Sequence, residues 1–202
     1  MSPSPPADSD EELMHRAKRG DREAFGELVE RWKQPVQNFV FRTLPDPDEA
    51  QDLAQAVFVQ LWKSVQRYER SARFSTFLFT IARNLCLNEI RRRARHPATS
   101  LDETRTDEES SLAQSIPDTA TLGADQTLQR TELFEKVESA VADLPEKQRT
   151  ALVLCREGEL SYEEIGAILG TSLQATKSLI HRARETLKAR LKPYLDTGAW
   201  GD

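Results

Sequence analysis

Apolar residues recur along this chain at helical intervals and nowhere in the sustained two-residue alternation of a strand. Phe25, Leu28, Val29, Trp32, Val36, Phe39 and Val40 make one stripe. Asp21 can cap that helix, and Ser9 with Glu12 can form a capping box for a helix before it. Pro35 falls inside the stripe and predicts a kink or break near Gln34. Leu44-Pro45-Asp46-Pro47-Asp48 ends the run. A second stripe follows: Leu53, Ala54, Val57, Phe58, Leu61, Trp62 and Val65. The polar stretch Glu69 to Arg73 reads as a loop. A third stripe, Phe74, Phe77, Leu78, Ile81, Ala82 and Leu85, runs into a basic end, Arg91-Arg92-Arg93-Ala94-Arg95.

From about His96 to Asp125 the pattern stops. The segment is rich in Pro, Ser, Thr, Asp and Glu, and it has too little apolar surface to offset chain entropy. The expected organisation is therefore an all-α chain of two small helical domains joined by a flexible acidic linker. Residues 1–9 are expected to form a disordered start, 10–96 the first domain, 97–125 the linker, 126–193 the second domain and 194–202 a tail, either disordered or a small docking element carrying Trp200. In the second domain Leu128, Leu133, Val137, Ala140, Val141 and Leu144 mark one helix. Pro145 opens the next, which carries Ala151, Leu152, Leu154 and Cys155 and ends at Gly158. Ser161-Tyr162-Glu163-Glu164 is a capping box for a third helix, broken by Gly170. A final helix is expected from about Ser172 to Leu191, stopped by Pro193.

That last pair of helices has the spacing of a helix-turn-helix. Such a pair crosses closely, which requires a small residue at the contact and favours glycine in the turn. Gly166 supplies the first, Gly170 the second, and Thr176 the inward position of the second helix. Ile165, Ile168, Leu169, Leu173, Leu179 or Ile180, and Ala183 supply the core. Gln174, Lys177, Ser178, His181, Arg182 and Arg184 occupy its polar positions, with side chains suited to phosphates and base edges. The bland alternative is a helical hairpin with a solvated basic face.

Charge sharpens the picture. The net charge is −5, from 28 basic and 33 acidic residues, yet the basic residues fall in two tracts. Between Arg67 and Arg95 eight arginines face Glu69 and Glu89; between Thr171 and Lys192 six basic residues face Glu185 alone. Two separated basic tracts in an acidic chain point to two contacts with one polyanion. Cys86 and Cys155 are far apart in apolar patterns and read as reduced thiols. Neither they nor His15, His96 and His181 have metal-ligand spacing, so no metal or cofactor is expected. No apolar run is long enough to span a bilayer, and the amino end lacks a signal-peptide pattern, so the expected compartment is the cytoplasm.

The stretch from Asp48 to Arg95 resembles region 2 of extracytoplasmic-function sigma factors of the sigma-70 family, and Leu144 to Leu191 resembles their region 4. Two long motifs in the family's order, with an acidic linker between them, are specific together; the likeness covers about Asp10 to Leu191. It implies an alternative transcription initiation factor with no catalysis of its own. The implied partners are core RNA polymerase, promoter DNA and an anti-sigma factor that could hold the chain near the membrane. By resemblance, Asp52, Gln55, Phe58, Leu61 and Trp62 dock on the clamp coiled coil of the polymerase's largest subunit. Arg70, Arg73, Phe74, Ser75, Thr76, Phe77, Asn84, Asn88, Arg91 and Arg92 recognise and melt the −10 element. Ser172, Gln174, Lys177, Ser178, His181, Arg182 and Arg184 read the −35 element, in a domain that also touches the polymerase flap. Trapping unstacked bases against aromatic surfaces while arginines hold phosphates suits the melting task.

The chain departs from the family in places. It has Gln174 to Leu179 where many members read Gly-Thr-Val-Lys-Ser-Arg, Phe77 where tryptophan is common, and Gly166 where alanine is usual, the last at a cost in helix propensity. Three competing readings are a sigma mimic that sequesters an anti-sigma factor, a dimeric repressor, and an enzyme. A mimic has no use for both basic tracts, a repressor would need a dimerisation or ligand domain, and no nucleophile–base pair or phosphate-binding glycine loop is present.

Overall fold

The computed structural model describes residues 9–44, 46–69, 73–95, 133, 135–157 and 160–197, with side chains as far as 194. Arg70, Leu128, Gly158, the whole of the expected linker, residues 1–8 and residues 198–202 lie outside the described residues. Among those described, the chain is helical throughout, with no strand. In the first half, α1 spans Asp10–Lys18, α2 Arg22–Thr43, α3 Pro47–Ser64 and α4 Phe74–Arg95, with a 3-10 turn at Val65–Arg67. In the second, a helical stretch over 135–142 precedes α5 (Glu146–Glu157), α6 (Tyr162–Leu169) and α7 (Leu173–Thr197).

Short polar side chains set the helix starts. Ser9 accepts from the Glu12 N–H at 3.2 Å. Asp21 accepts from the N–H groups of Glu23 and Ala24, both at 3.1 Å. The Ala24 bond, helped by Arg16, holds the Asp21 carboxyl below its ordinary range. Asp46 caps α3 with Pro47 as the first helical residue, where a missing N–H costs nothing. The capping box at Ser161 is complete: its hydroxyl accepts from Glu164 N–H, and Glu164 accepts from Ser161 N–H.

At two prolines the helices run on. α2 has no break at Pro35, and α7 continues through Pro193, past its expected stop, to Thr197, so residues 194–197 extend the helix. Proline removes one ladder bond, but packing on the core side of α2 by Leu28, Val36, Phe39 and Val40, all fully buried, outweighs that loss. Pro193 falls in the last turns of an exposed stretch, where the affected backbone reaches water.

α4 is the element on which the first half is built. Phe74, Leu78, Phe79, Ala82 and Cys86 bury one side of it completely. Aromatic rings meet there edge to face: Trp32 with Phe74 and Phe79, Phe39 with Phe79, and Tyr68 with Phe74. Trp32 Nε1 donates to Asp10 at 2.9 Å, and Arg31 pairs with the same carboxylate, which ties α1 to α2. Glu11 of α1 accepts from the Phe74 N–H at 3.3 Å and so secures the start of α4. Both cysteines are free; burial pushes the Cys86 thiol up to about 12.

In the second half, α6 and α7 cross at Gly166. A Cβ there would sit 2.9 Å from the Thr171 carbonyl oxygen and 3.0 Å from Thr176 Oγ1. The turn is made by Gly170 in the left-handed region, φ 65°. Thr176 is fully buried and its hydroxyl bonds back to the Ser172 carbonyl. Glycine at 166 is thus a packing requirement of this turn and not only a loss of helix propensity.

Two glycines make the test. Gly166→Ala gains roughly 1 kcal/mol of helix propensity but overpacks against backbone, at roughly 1–3 kcal/mol. The expected net loss is about 1 kcal/mol, a Tm drop of about 4–8 °C. Gly26→Ala, in α2 with nothing within 4 Å of the new carbon, should instead gain about 0.5–1 kcal/mol. Thermal unfolding of both variants checks this; a rise in Tm for Gly166→Ala would refute the close-approach constraint.

Candidate nucleic-acid and partner-binding faces

Three candidate faces can be built from helix register and exposure. On α3, Asp52, Gln55 and Trp62 are exposed and recur at spacings that put them on one side, with Phe58 half-buried at its edge. Leu61 does not belong with them. It is fully buried, because its position turns it into the first-half core, and it cannot meet a partner. The sequence reading missed Val59, which is 54% exposed and lies between Gln55 and Trp62 on the same face. The signal was available: an apolar residue off the buried stripe, four after Gln55 and three before Trp62. Trp62, 39% exposed, packs edge to face on Phe25 of α2, and Arg22 joins them around a shallow cavity of about 280 Å³. An exposed apolar centre rimmed by Asp52, Gln55 and Arg22 has the make-up of a protein-docking patch.

On α4, Phe77, Asn84, Asn88 and Arg91 recur at three- and four-residue steps, or a whole two turns, and so share one face. Asn84, Asn88 and Arg91 are exposed. Phe77 is half-buried, its ring 5.4 Å from Tyr68 in an edge contact. Phe74 is a correction to the sequence reading, being fully buried between Trp32 and Tyr68 and out of reach of a nucleic acid. Ser75 lies by register nearly opposite the Phe77 face. Thr76 lies to one side of that face, with its hydroxyl buried. Arg73 is exposed and pairs with Glu164 of α6 at 3.2 Å.

The basic end of α4 is partly occupied. Arg92 pairs with Glu89 at 2.7 Å, and Arg93 pairs with Glu49 and Asp46 from the start of α3. The Arg92 hydrogen bond holds the Glu89 carboxyl below its ordinary value. Arg91 is exposed and makes no ion pair among the described residues.

On α7, Gln174, Lys177, Ser178 and His181 share the outward face, flanked by Arg182 and Arg184. All but the half-buried Ser178 are exposed. Ser172 serves first as a cap, accepting from the Ala175 N–H at 3.2 Å. Ser178 bonds to the Gln174 carbonyl, and Arg184 leans back toward the Cys155 sulfur at 3.7 Å. The free donors and acceptors of this face are therefore Gln174, Lys177, His181 and Arg182. No group of three or more His, Cys, Asp and Glu side chains suited to a metal ion occurs among the described residues. No helix among them is long and apolar enough to cross a membrane.

Residues 28–96 match the family model described as Sigma-70 region 2, and residues 134–187 match the one described as Sigma-70, region 4. The ECF RNA polymerase sigma factor SigW of Bacillus subtilis is 31% identical over 88% of this chain and 94% of its own length. The ECF RNA polymerase sigma-E factor of Escherichia coli is 30% identical over 93% of this chain and 96% of its own. Among solved structures, CnrH in complex with the cytosolic domain of CnrY superposes with a TM-score of 0.64 at 25% identity, covering 92% of this chain and 99% of that one. The sigma factor RpoE of Bartonella quintana, solved with the anti-sigma factor NepR, shares the fold at TM-score 0.65 and 23% identity, over 83% of this chain and 96% of its own.

The Glu89–Arg92 pair yields a pH-dependent expectation. A carboxyl with a depressed folded value adds stability above its unfolded value, near 4.5, and loses it as pH falls through the lower folded value. At neutral pH Glu89 therefore competes with any phosphate for Arg92. Glu89→Gln should tighten binding of a single-stranded oligonucleotide at pH 7, by about two- to fivefold, and steepen its salt dependence. Titration at two salt concentrations measures this; unchanged affinity and slope would overturn the competition of Glu89 with phosphate for Arg92.

Proposed function

The chain belongs to the extracytoplasmic-function branch of the sigma-70 family, and from that premise we propose that it binds core RNA polymerase and directs initiation at promoters carrying −10 and −35 elements, under the control of an anti-sigma factor. The observation that carries this reading is the match to both regions, in order, each ending in an exposed face that bears asparagine, glutamine or basic side chains. The work would be done in the bacterial cytoplasm, where polymerase and chromosome meet, and a membrane-held anti-sigma factor would keep the chain close to the bilayer.

The roles divide by face. Val59 and Trp62, with Asp52, Gln55 and Phe58, form the docking patch for the clamp coiled coil, where a desolvated aromatic anchor supplies most of the affinity. Phe77 offers an apolar surface to a base leaving the duplex stack. Asn84 and Asn88, one turn apart, bond to edges of the exposed strand, while Arg91 and, once released from Glu89, Arg92 hold its phosphates. Arg70, Arg73, Ser75 and Thr76 take at most a flanking part. In the second half, Gln174 and Lys177 enter the major groove, where glutamine suits adenine and lysine suits guanine. Ser172, Ser178, His181, Arg182 and Arg184 set the register on the backbone. The bond-making chemistry belongs to the polymerase.

Run-off transcription tests this directly. The purified chain, core polymerase and a pool of promoter fragments should give defined starts that share two spaced upstream elements. Arg91→Ala and Lys177→Ala should each lower the yield by about 5- to 100-fold, as expected for loss of one DNA contact. Trp62→Ala should weaken polymerase binding with DNA contacts unchanged. A chain that fails to bind polymerase at all would overturn the proposal.

A further inference from the structure

We propose that α1 is the frame that aims Phe77. Glu11 and Lys18, both on α1 and neither in the α4 face itself, are positioning residues. They hold the start of α4 and the Tyr68 ring on which Phe77 packs. The bearing of this link on strand opening rests on the stacking role proposed above for Phe77; the link itself does not.

α1 is itself fixed first. The Asp10 carboxylate accepts from Trp32 Nε1 at 2.9 Å and pairs with Arg31 at 3.1 Å, both on α2. Leu13, Met14 and Ala17 are buried beneath it. Glu11, Met14 and Lys18 follow one another at three- and four-residue steps, so they share one side of α1. Met14 is fully buried, which turns that side toward the rest of the first half. Glu11 and Lys18 stand two helical turns apart at its ends, a separation of roughly 10 Å along the axis. Each end takes hold of a different segment, and the partners are 63 and 50 residues away in sequence.

At one end, Glu11 accepts from the Phe74 N–H at 3.3 Å. Phe74 is the first residue of α4, and the N–H groups of a first turn have no partner inside their own helix. A carboxylate there also complements the positive end of the helix dipole. α4 thus takes a cap from α1. The next ladder bond runs from the Phe77 N–H to the Arg73 carbonyl at 3.2 Å, so Phe77 stands in the turn where helices fray. At the other end, Lys18 Nζ donates to the Tyr68 carbonyl at 2.9 Å, and Gln66 Nε2 donates to the Lys18 carbonyl at 2.9 Å. This two-way tie joins the last turn of α1 to the 3-10 turn, and its ammonium bond is charge-assisted. Tyr68, 3% exposed, then presents its ring edge to face, 6.5 Å from Phe74 and 5.4 Å from Phe77.

A ring serves as a stacking surface in proportion to how well it is held. A base that stacks on a wandering side chain must first order it, and that ordering is subtracted from the stacking energy. Tyr68 and the first turn of α4 order Phe77 beforehand, and Glu11 and Lys18 order them in turn. Asn84, Asn88 and Arg91 do not depend on this frame. They lie further along α4, where the fully buried Leu78, Phe79, Ala82 and Cys86 already fix the helix. Loss of either α1 tie should therefore weaken stacking at Phe77 and leave the rest of the face as it was.

Hydrogen exchange on the full chain reads the link directly. In Glu11→Leu the Phe74 and Phe77 amides should exchange about tenfold faster or more. Glu11→Gln, whose amide oxygen can still accept, should change them little. Lys18→Met keeps the apolar stem and removes the donor; it should speed exchange at Tyr68 and Phe77, and Lys18→Arg should restore it. Amides from Ala82 to Cys86 should keep their rates in all four variants, which separates local loosening from loss of the fold. With core polymerase and a promoter from the run-off pool, 2-aminopurine in the −10 element then reports strand opening. Glu11→Leu and Lys18→Met should slow opening by about three- to tenfold at saturating holoenzyme, with the half-saturating concentration unchanged. That is a part of the roughly 5- to 150-fold expected when Phe77→Ala removes the stacking surface outright. In a Phe77→Ala background Lys18→Met should cost nothing more, because residues that act through one another are not additive. Wild-type exchange rates in Glu11→Leu and Lys18→Met would overturn the link. Opening losses that multiply with that of Phe77→Ala would overturn its action through Phe77. If the wild type opens no promoter, or Phe77→Ala opens one as fast as the wild type, the functional reading of Phe77 fails, and the exchange rates alone still decide the link.

Discussion

Edge-to-face aromatic packing along α4 is the constraint on which the first half depends. Trp32, Phe39 and Tyr68 close around Phe74 and Phe79, and Glu11 secures the backbone where α4 begins. With one side of α4 fixed in this way, the opposite side has no freedom of direction. Phe77, Asn84, Asn88 and Arg91 are aimed outward because Phe74, Leu78, Phe79, Ala82 and Cys86 are aimed inward. The direction of one face of the helix is thus a consequence of burial on the other.

The second half solves the same problem with small residues. Gly166 and the left-handed turn at Gly170 let α6 and α7 approach until Thr176 is enclosed. That approach rotates Gln174, Lys177 and His181 away from the core. The aromatic solution needs bulk and the helix-turn-helix solution needs its absence, yet both orient an exposed polar helix face by filling the space behind it. Where the halves meet, the physics changes. Arg42 and Glu157 supply attraction that is local and sensitive to charge, and some buried polar atoms of α4 and α5 have no partner among the described residues.

Much of this was legible in the residue order. The all-helical fold, the caps at Ser9, Asp21 and Ser161, the buried Thr176 and the outward Gln174, Lys177, His181 and Arg182 all follow from periodicity and capping chemistry, and stand where the sequence puts them. Four readings met a different outcome in the structure. Leu61 and Phe74 share stripes with exposed neighbours in sequence, but the core claims them completely. Pro35 signals a kink or break and Pro193 a helix end, but neighbouring burial and solvent access carry the helices past them. Val59 passed unnoticed because a single valine on a polar face acquires meaning only beside Trp62 and Phe25.

What the sequence by itself determined is therefore local: which segments are helices, where they are capped, and which side of each is apolar, because these depend on residues three and four positions apart. What only the tertiary structure decided is who faces whom. Ion pairs between residues 42 and 157, the shelter of Phe74 between Trp32 and Tyr68, and the competition of Glu89 for Arg92 are set by approach in space. Charge attraction and shape complementarity act across distance and not along the chain, so no spacing rule contains them.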